Sequence, residues 1–299
     1  MVQTQRNLVE TSHKIALSFS MNILIFGNGY IANRMKQAWP DALISEVRID
    51  DRAAVAHVLD EVKPDAVINT AGKTGKPNVD WCEANQETTY RSNVVGALTL
   101  AEECRTRNIY LLHLGSGCIF YGPSPDPKGW TEEDFANPLA FYSRTKYAAD
   151  LILSKLPGVG VARLRMPIDW IPNSRNLIDK LTAYPKVIDV ENSVTVVEDL
   201  LSAARQLMEK KGEGIFHVVN EGTMRHKDLI ALYEQYVDPT HKNEWINDED
   251  LVKLGLATKQ RSNCILQSPR LAALGIKMRP IKEALEDTMK RYAEKKQKQ

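Results

Sequence analysis

The chain has 299 residues, of which 43% are hydrophobic and 26% are charged, and its formal net charge is +1. Because basic and acidic residues are balanced, we expect no nucleic-acid partner that binds a basic face and no polybasic membrane anchor. No apolar run approaches the roughly 18 residues of a membrane-spanning helix, so we also expect no membrane span. The length fits one large domain or two modest ones.

Residues 1–20 are polar and end in a short, broken apolar stretch. A secretory signal has a longer continuous apolar segment. We therefore interpret these residues as a flexible leader, with a transit peptide as the alternative.

Strand and helix patterns alternate from Met21 onward. The predicted strands occupy residues 23–26, 42–47, 66–68 and 110–114, and predicted helices separate them. Strands joined by helices form right-handed βαβ units in a parallel sheet. The pattern therefore predicts an α/β fold, a Rossmann-type doubly wound parallel sheet.

The second half of the chain is less regular. It contains a predicted helix from residues 137–138 past 149, strands at 161–164 and 214–219, and further helices near its end. We expect residues 21–165 to form an NAD(P)-binding domain and residues 166–299 to form mainly a smaller C-terminal substrate-binding lobe. The two parts are expected to interleave.

The cysteines and histidines show no metal-binding spacing. The four cysteines form no CxxC pair, and the six histidines form no HExxH motif. We expect reduced thiols, a cytoplasmic location and no metal.

A glycine-rich turn, Gly27-Asn28-Gly29-Tyr30-Ile31-Ala32, follows the first strand and opens a helix. The spacing GxGxxA allows a tight turn and a close approach of the backbone to a pyrophosphate, which the helix N-terminus stabilises. We predict cofactor contacts from Gly27, Gly29, Tyr30 and Ile31. A strand–glycine–helix turn without a ligand is the alternative.

The residues after the second strand indicate the type of cofactor. Glu46 would favour the free ribose hydroxyl of NADH, and Arg48 would favour the 2′-phosphate of NADPH. We predict NADPH bound through Arg48, with NADH possible, although both residues could be solvated charges. Small residues after the third strand, in Asn69-Thr70-Ala71-Gly72, would let the backbone lie close to the same cofactor.

Tyr142 and Lys146 form a YxxxK motif on a predicted helix. The i, i+4 spacing places phenol and ammonium on one face. A nearby cation would lower the pKa of Tyr142 and make it a general acid for a carbonyl under reduction. Ser116, just after the fourth strand, is expected to orient the same carbonyl oxygen.

These motifs, in this order, resemble the extended short-chain dehydrogenase/reductase family over about residues 21–290. The resemblance implies further cofactor contacts by Asn93 and Pro167 and suggests a homodimer. The glycine motif is one residue shorter than the family's usual GxxGxxG, so the path of the phosphate-binding loop stays open.

Longer strings give a narrower resemblance. Residues 72–83 (GKTGKPNVDWCE), 117–120 (GCIF), 165–168 (RMPI), 175–180 (RNLIDK) and 261–263 (RSN) are similar to the nucleotide-rhamnose synthase/epimerase-reductase group of the dTDP-4-dehydrorhamnose reductase-like proteins. The resemblance implies a nucleoside-diphosphate 4-keto-6-deoxy sugar as substrate, inverted at C3 and C5 and then reduced at C4. It assigns proton exchange to Cys118 and Lys180.

Cys118 could instead be a small buried hydrophobe, and Lys180 could be a surface residue of an amphipathic helix. Trp81 could equally be core, and Arg261 could be an ordinary exposed arginine. We predict that His113 is a core histidine. The residues expected to bind the sugar nucleotide are Lys76, Asn78, Asp80, Trp81, Cys82, Asn176 and Arg261.

Two other functions remain open from the sequence. One is a 4-keto reductase without epimerase activity. The other is a non-catalytic regulatory subunit that binds NADP and a partner protein. The intact set of Ser116, Tyr142 and Lys146 argues against the regulator, because a binding protein does not need all three.

Overall fold

The structure is a computed structural model that describes residues 21–298, so the predicted leader at residues 1–20 lies outside the described part. The described strands, numbered in chain order, are β1 Ile23–Phe26, β2 Leu43–Ser45, β3 Ala66–Asn69, β4 Tyr110–Ser116, β5 Val159–Leu164, β6 Pro167–Ile168, β7 Lys186–Ile188, β8 Glu191–Asn192, β9 Thr195–Val196, β10 Gly214–His217, β11 Met224–Arg225 and β12 Glu244–Ile246.

The described helices are α1 Tyr30–Ala38, α2 Arg52–Val62, α3 Trp81–Ala84, α4 Gln86–Tyr90, α5 Gly96–Thr106, α6 Phe141–Leu153, α7 Leu177–Ala183, α8 Val197–Glu209, α9 His226–Tyr236, α10 Asp250–Lys253, α11 Pro269–Ala273 and α12 Ile281–Gln297. A π-helical segment, Arg91–Val95, joins α4 to α5. None of the helices within residues 21–298 is long and apolar enough to cross a membrane.

A six-stranded parallel sheet forms the centre of the molecule, in the order β10-β5-β4-β3-β1-β2. Strand β1 lies between β2 and β3, with Ile25 opposite both Ile44 and Ile68. The strand order reverses at β1, so helices cover both faces of the sheet. This is the predicted Rossmann-type doubly wound architecture, and that prediction is confirmed.

The two faces of the sheet carry separate cores because side chains alternate along a strand. On β1, Ile23 and Ile25 pack toward α1 and α8, whereas Leu24 and Phe26 pack toward α2 and α5. Every residue of β1 and β3 is buried, as expected for strands covered on both faces.

A third core lies beyond the sheet, between α7, α9 and α12, and includes Ile178, Leu229 and Met289. The sequence analysis predicts the second lobe in this part of the chain, from residue 166 onward. The chain nevertheless returns to the sheet at Gly214–His217, which pairs with β5. The boundary at residue 165 stays a prediction, and strand β10 is contributed from beyond it.

Candidate active site

A cavity of about 720 Å³ lies at the carboxyl ends of the parallel strands. Its wall combines the start of α1, the ends of β3, β4 and β5, and segments of the second lobe. Ligands of doubly wound proteins bind at this edge of the sheet. The predicted residues that line the cavity are Gly29, Tyr30, Ile31, Ala71, Gly72, Asn78, Ser116, Cys118, Tyr142, Lys146, Pro167, Lys180 and Arg261.

The two glycines of the turn after β1 differ in their surroundings. Gly27 has a φ of +99°, and a Cβ at this position would lie 2.8 Å from the backbone nitrogen of Ala71. A Cβ on Gly29, which precedes α1, would meet no atom within 4 Å. The first glycine therefore permits close packing of β1 on the end of β3, and the second leaves room at the helix N-terminus. This room fits a diphosphate.

The start of α1 is tied to the second lobe through a buried carboxylate. Tyr30 donates a hydrogen bond to Asp169 Oδ2 at 3.0 Å, and Arg34 Nε lies 2.5 Å from the same oxygen. Burial, reinforced by Asp169, raises the pKa of Tyr30. Tyr30 therefore remains a phenol and holds one edge of the cavity in place.

Ser116, Tyr142 and Lys146 come together where β4 ends and α6 begins. The pKa of Tyr142 is raised and not lowered as expected: burial, and next Cys118, raises it, while the Ser116 hydroxyl acts in the opposite direction. Lys146 Nζ instead lies 2.8 Å from the Leu114 carbonyl oxygen and 3.0 Å from His113 Nε2. The amine is turned toward β4, which sequence spacing alone does not reveal.

Cys118 and Lys180 both line the cavity, and both are half-buried. Arg165 Nη1 lies 3.3 Å from Cys118 Sγ. Burial, and then the charge of Arg175, lowers the pKa of Lys180, although Cys118 acts in the opposite direction. The structure thus places a thiol and an amine on the wall of one cavity.

Two buried arginines two residues apart have different partners. Arg163 forms an ion pair with buried Asp150 at 2.8 Å. Arg165 is fully buried, and within residues 21–298 its hydrogen-bond partners are neutral groups of Gly117, Cys118, Asn192 and Ser262. The Cys118 thiol is therefore adjacent to a buried cation that lacks a carboxylate partner in the described chain.

Asp80 does not line the cavity but holds a residue that does. Both of its carboxylate oxygens accept hydrogen bonds from Arg261, each at 2.8 Å. Burial opposes ionisation of Asp80, but Arg261 and Thr258 hold its pKa below the usual range. This pair links the loop before α3 to residues 258–261. The guanidinium expected to bind a diphosphate is thus already paired.

Several other residues expected at the site do not line the cavity. Asn176 is fully buried, where it caps α7 and hydrogen-bonds to the backbone of Asp169. Arg48 is exposed and pairs with Asp50 at 2.8 Å. The remaining residues that do not line the cavity are Gly27, Lys76, Trp81, Cys82, Asn69 and Asn93.

Asn93 and Trp81 support the cavity wall indirectly. Asn93 accepts a hydrogen bond from the backbone nitrogen of Lys73 and donates to Thr145 Oγ1 at 3.0 Å, which fixes the loop after β3 against α6. Lys73 Nζ stacks on the Trp81 ring, 5.4 Å from its centroid. These two side chains therefore contact residues of the loop after β3 and do not themselves line the cavity.

The sequence analysis assigned no role to three other lining residues, Arg175, Met166 and His226. Arg175 donates a hydrogen bond to Thr74 Oγ1 at 2.9 Å across the cavity. Met166 has a φ of +40°, which is rare for a residue with a side chain. Met166 and Arg175 belong to segments 165–168 and 175–180, which carried the family resemblance. That resemblance was the signal in the sequence that could have identified them. No sequence pattern singled out His226.

The family model described as RmlD substrate binding domain matches residues 21–294. The bifunctional dTDP-4-dehydrorhamnose 3,5-epimerase/dTDP-4-dehydrorhamnose reductase of Arabidopsis thaliana is 35% identical over 279 residues, covering 90% of this chain and 92% of that protein. A trifunctional UDP-glucose 4,6-dehydratase/UDP-4-keto-6-deoxy-D-glucose 3,5-epimerase/UDP-4-keto-L-rhamnose-reductase of the same plant is 36% identical over 244 residues. That match covers 80% of this chain but 36% of the plant protein.

Two solved structures share the fold over most of both chains. The L780 UDP-rhamnose synthase from Acanthamoeba polyphaga mimivirus has a TM-score of 0.84 and 29% identity, and covers 91% of this chain and 99% of that chain. The dTDP-4-dehydrorhamnose reductase from Bacillus anthracis, in complex with NADP, has a TM-score of 0.77 and 21% identity, with coverage of 90% and 97%. By the extent of the family match and the identity to the plant relative, this chain belongs to the RmlD substrate-binding domain family.

Proposed function

We propose that the protein reduces the C4 ketone of a nucleoside-diphosphate 4-keto-6-deoxy sugar, after inverting C3 and C5, to give a rhamnose-type nucleotide sugar. The observation that carries this proposal is that one cavity is lined by two groups of residues. The reductase group is Ser116, Tyr142 and Lys146, and the proposed epimerase pair is Cys118 and Lys180. The names of the plant relatives and of the mimivirus synthase support it.

NADPH is the proposed cofactor, and it supplies the hydride for the reduction. The room beside Gly29, the start of α1 and the small residues Ala71 and Gly72 fit its diphosphate. The NADP complex of the bacterial reductase supports this choice. Arg48, which is exposed and paired with Asp50, is the proposed partner of the 2′-phosphate.

In the reduction, Tyr142 donates a proton to the C4 oxygen and Ser116 holds that oxygen by a hydrogen bond. Burial raises the pKa of Tyr142, so in the free protein the phenol carries the proton that the C4 oxygen takes up. Lys146 lies one helical turn along α6 and is proposed to bind the nicotinamide ribose. All three groups stand at the end of β4 or the start of α6.

In the epimerisation, the C4 ketone acidifies the C–H bonds at C3 and C5. Inversion then requires a base on one side of the ring and a proton donor on the other. Cys118 and Lys180 are the proposed pair, since a thiol and a partly desolvated amine can both exchange protons near neutral pH. The lowered pKa of Lys180 supports its part in this exchange.

The proposal is tested by supplying NADPH and UDP- or dTDP-4-keto-6-deoxyglucose in deuterated water and examining the product by NMR. We expect NADPH oxidation and deuterium at both C3 and C5. Cys118→Ala should abolish the deuterium incorporation but still reduce a substrate that is already inverted. Cys104→Ala, a buried cysteine on α5, is the matched control and should retain both activities.

Each alternative function has its own outcome. Oxidation without deuterium at C3 and C5 would leave a 4-keto reductase and assign Cys118 to packing. NADPH binding without turnover of either sugar would favour the regulatory subunit.

We further propose a homodimer in the cytoplasm. The reduced state of all four cysteines, none of which is in a disulfide, suits a reducing compartment. Sedimentation analysis at micromolar concentration tests the dimer: a single species of 33.7 kDa would refute it.

A further inference from the structure

His113 is a buried titratable residue that the proposed mechanism does not use. It lies on β4, three residues before Ser116, and is fully buried. Its Nε2 is 3.0 Å from Lys146 Nζ, and its Nδ1 is 2.9 Å from Asn69 Nδ2. The expected core histidine therefore joins the lysine of the cavity to the end of β3.

The backbone of Ala71 fixes the direction of this chain of hydrogen bonds. Its N–H donates to Asn69 Oδ1 at 3.0 Å, so the amide nitrogen Nδ2 faces the imidazole ring. An amide nitrogen only donates, so His113 Nδ1 must accept. A neutral imidazole has one donor and one acceptor. Its hydrogen therefore lies on Nε2 and points toward Lys146.

A hydrogen on Nε2 requires a lone pair on Lys146 Nζ. An ammonium group has three N–H donors and no lone pair, whereas a neutral amine can accept from Nε2 and donate to the Leu114 oxygen at 2.8 Å. With the neutral amine, every donor from Ala71 to Lys146 has an acceptor. With the ammonium, two donors would face each other, either at Nε2 or at Asn69.

The charges around Lys146 leave this conclusion in place. On its own helix, Tyr142 is a protonated phenol and Asp150 is buried in an ion pair with Arg163 of β5. Burial lowers the pKa of Lys146 to about 8, although Asp150 acts in the opposite direction. Burial lowers the pKa of His113 well below its usual range, so the ring stays neutral.

We propose that Asn69 and His113 form a relay that favours the neutral amine of Lys146 in the free protein, and that a ligand in the cavity favours the ammonium instead. His113 is then a positioning residue, because it acts through Lys146 and does not line the cavity. The inference rests on the proposed function, in which Lys146 meets ligand oxygens. When these oxygens offer acceptors, Lys146 takes a proton from solvent and releases the Nε2 contact.

The test is a pH titration of the free protein labelled with ¹⁵N-histidine. The chain has six histidines, so the His113 resonances can be assigned by their loss in His113→Gln. At about pH 9.5 we expect a neutral ring with its hydrogen on Nε2. Because the ring itself does not titrate in this range, its resonances should then move with a midpoint near pH 8, as Lys146 takes up its proton.

Two variants make the result specific. Lys146→Met should remove the pH dependence of the His113 resonances, whereas His217→Gln should leave it unchanged. His217 is the matched control because it is equally buried on a strand of the same sheet but contacts Arg163 and the Gln267 carbonyl. A merely structural role for His113 would give no response to Lys146.

A hydrogen on Nδ1 at high pH, or resonances that do not change between about pH 7 and pH 9.5, would overturn the relay. Neither readout involves a sugar or a cofactor. Failure of the proposed function would therefore appear as an absence of turnover in a protein with an intact His113 titration. Failure of the relay would appear in the titration alone.

Discussion

Gly27 and Gly29 belong to one turn, yet alanine at each position should have a different consequence. At Gly27 the left-handed backbone costs alanine about 1–2 kcal/mol. A Cβ 2.8 Å from the Ala71 nitrogen and 2.9 Å from Thr70 Oγ1 adds overpacking, which costs about 1–3 kcal/mol. We therefore expect Gly27→Ala to lower the free energy of unfolding by about 2–5 kcal/mol.

Gly29→Ala should fold normally, because its φ is −93° and no atom lies within 4 Å of the added Cβ. The change in unfolding free energy should stay within about 1 kcal/mol. The methyl group would, however, stand where the diphosphate of NADPH is proposed to meet the start of α1. Loss of one charge-assisted hydrogen bond, worth about 1.5–3 kcal/mol, should raise the Kd for NADPH about tenfold to hundredfold.

Urea unfolding measures the first effect, and titration of NADPH fluorescence measures the second. Each variant is the control for the other, since one should lose stability and the other affinity. Wild-type affinity in Gly29→Ala would refute the placement of the diphosphate. Wild-type stability in Gly27→Ala would refute the close approach of β1 to Ala71.

Four other substitutions test charged groups. Because burial lowers the pKa of Lys146 from 10.5 to about 8, the unfolded state binds more protons between these values. The wild type should therefore gain stability relative to Lys146→Met as the pH rises through this window, by up to about 3 kcal/mol in urea titrations; a flat difference would contradict it. Arg163→Met leaves Asp150 buried without its partner and should lower the free energy of unfolding by about 3–5 kcal/mol. Arg165→Met leaves no carboxylate without a partner and should lower it by less. The reverse order in urea unfolding would refute this account. Asp80→Asn should raise KM for the sugar nucleotide severalfold and lower kcat by a smaller factor, because it frees residues 258–261 from the loop before α3. An unchanged KM would contradict this.

The sequence was sufficient to predict the sheet because its strands are short, apolar and buried on both faces. The runs at residues 23–26 and 66–68 correspond to β1 and β3, where alternation between core and solvent is absent. Strand β2 is shorter than predicted, Leu43–Ser45, since it lies at the sheet edge with Leu43 exposed. The helix predicted from residue 137 begins at Phe141.

Site residues were harder to predict because their partners are remote in sequence. The i, i+4 spacing correctly placed Tyr142 and Lys146 on the cavity side of one helix, but the partner of the amine lies on β4. Asn176 was assigned to substrate from a resemblance, although an asparagine just before a helix is a typical N-cap. In the structure Asn176 is this N-cap, and its Oδ1 accepts a hydrogen bond from the Ile178 backbone nitrogen.

Strand β10 has a consequence for how this protein could be divided or extended. A chain cut after residue 165 would leave the outer edge of β5 without its partner, and an open strand edge is a template for aggregation. It would also lack α8, whose Leu200 and Ala204 cover the same sheet face as Ile23 and Ile25. Residues 21–165 are therefore not expected to fold as a separate unit. The segments between β5 and α8, and those after β10, are the places where new sugar specificity could be inserted without opening the sheet.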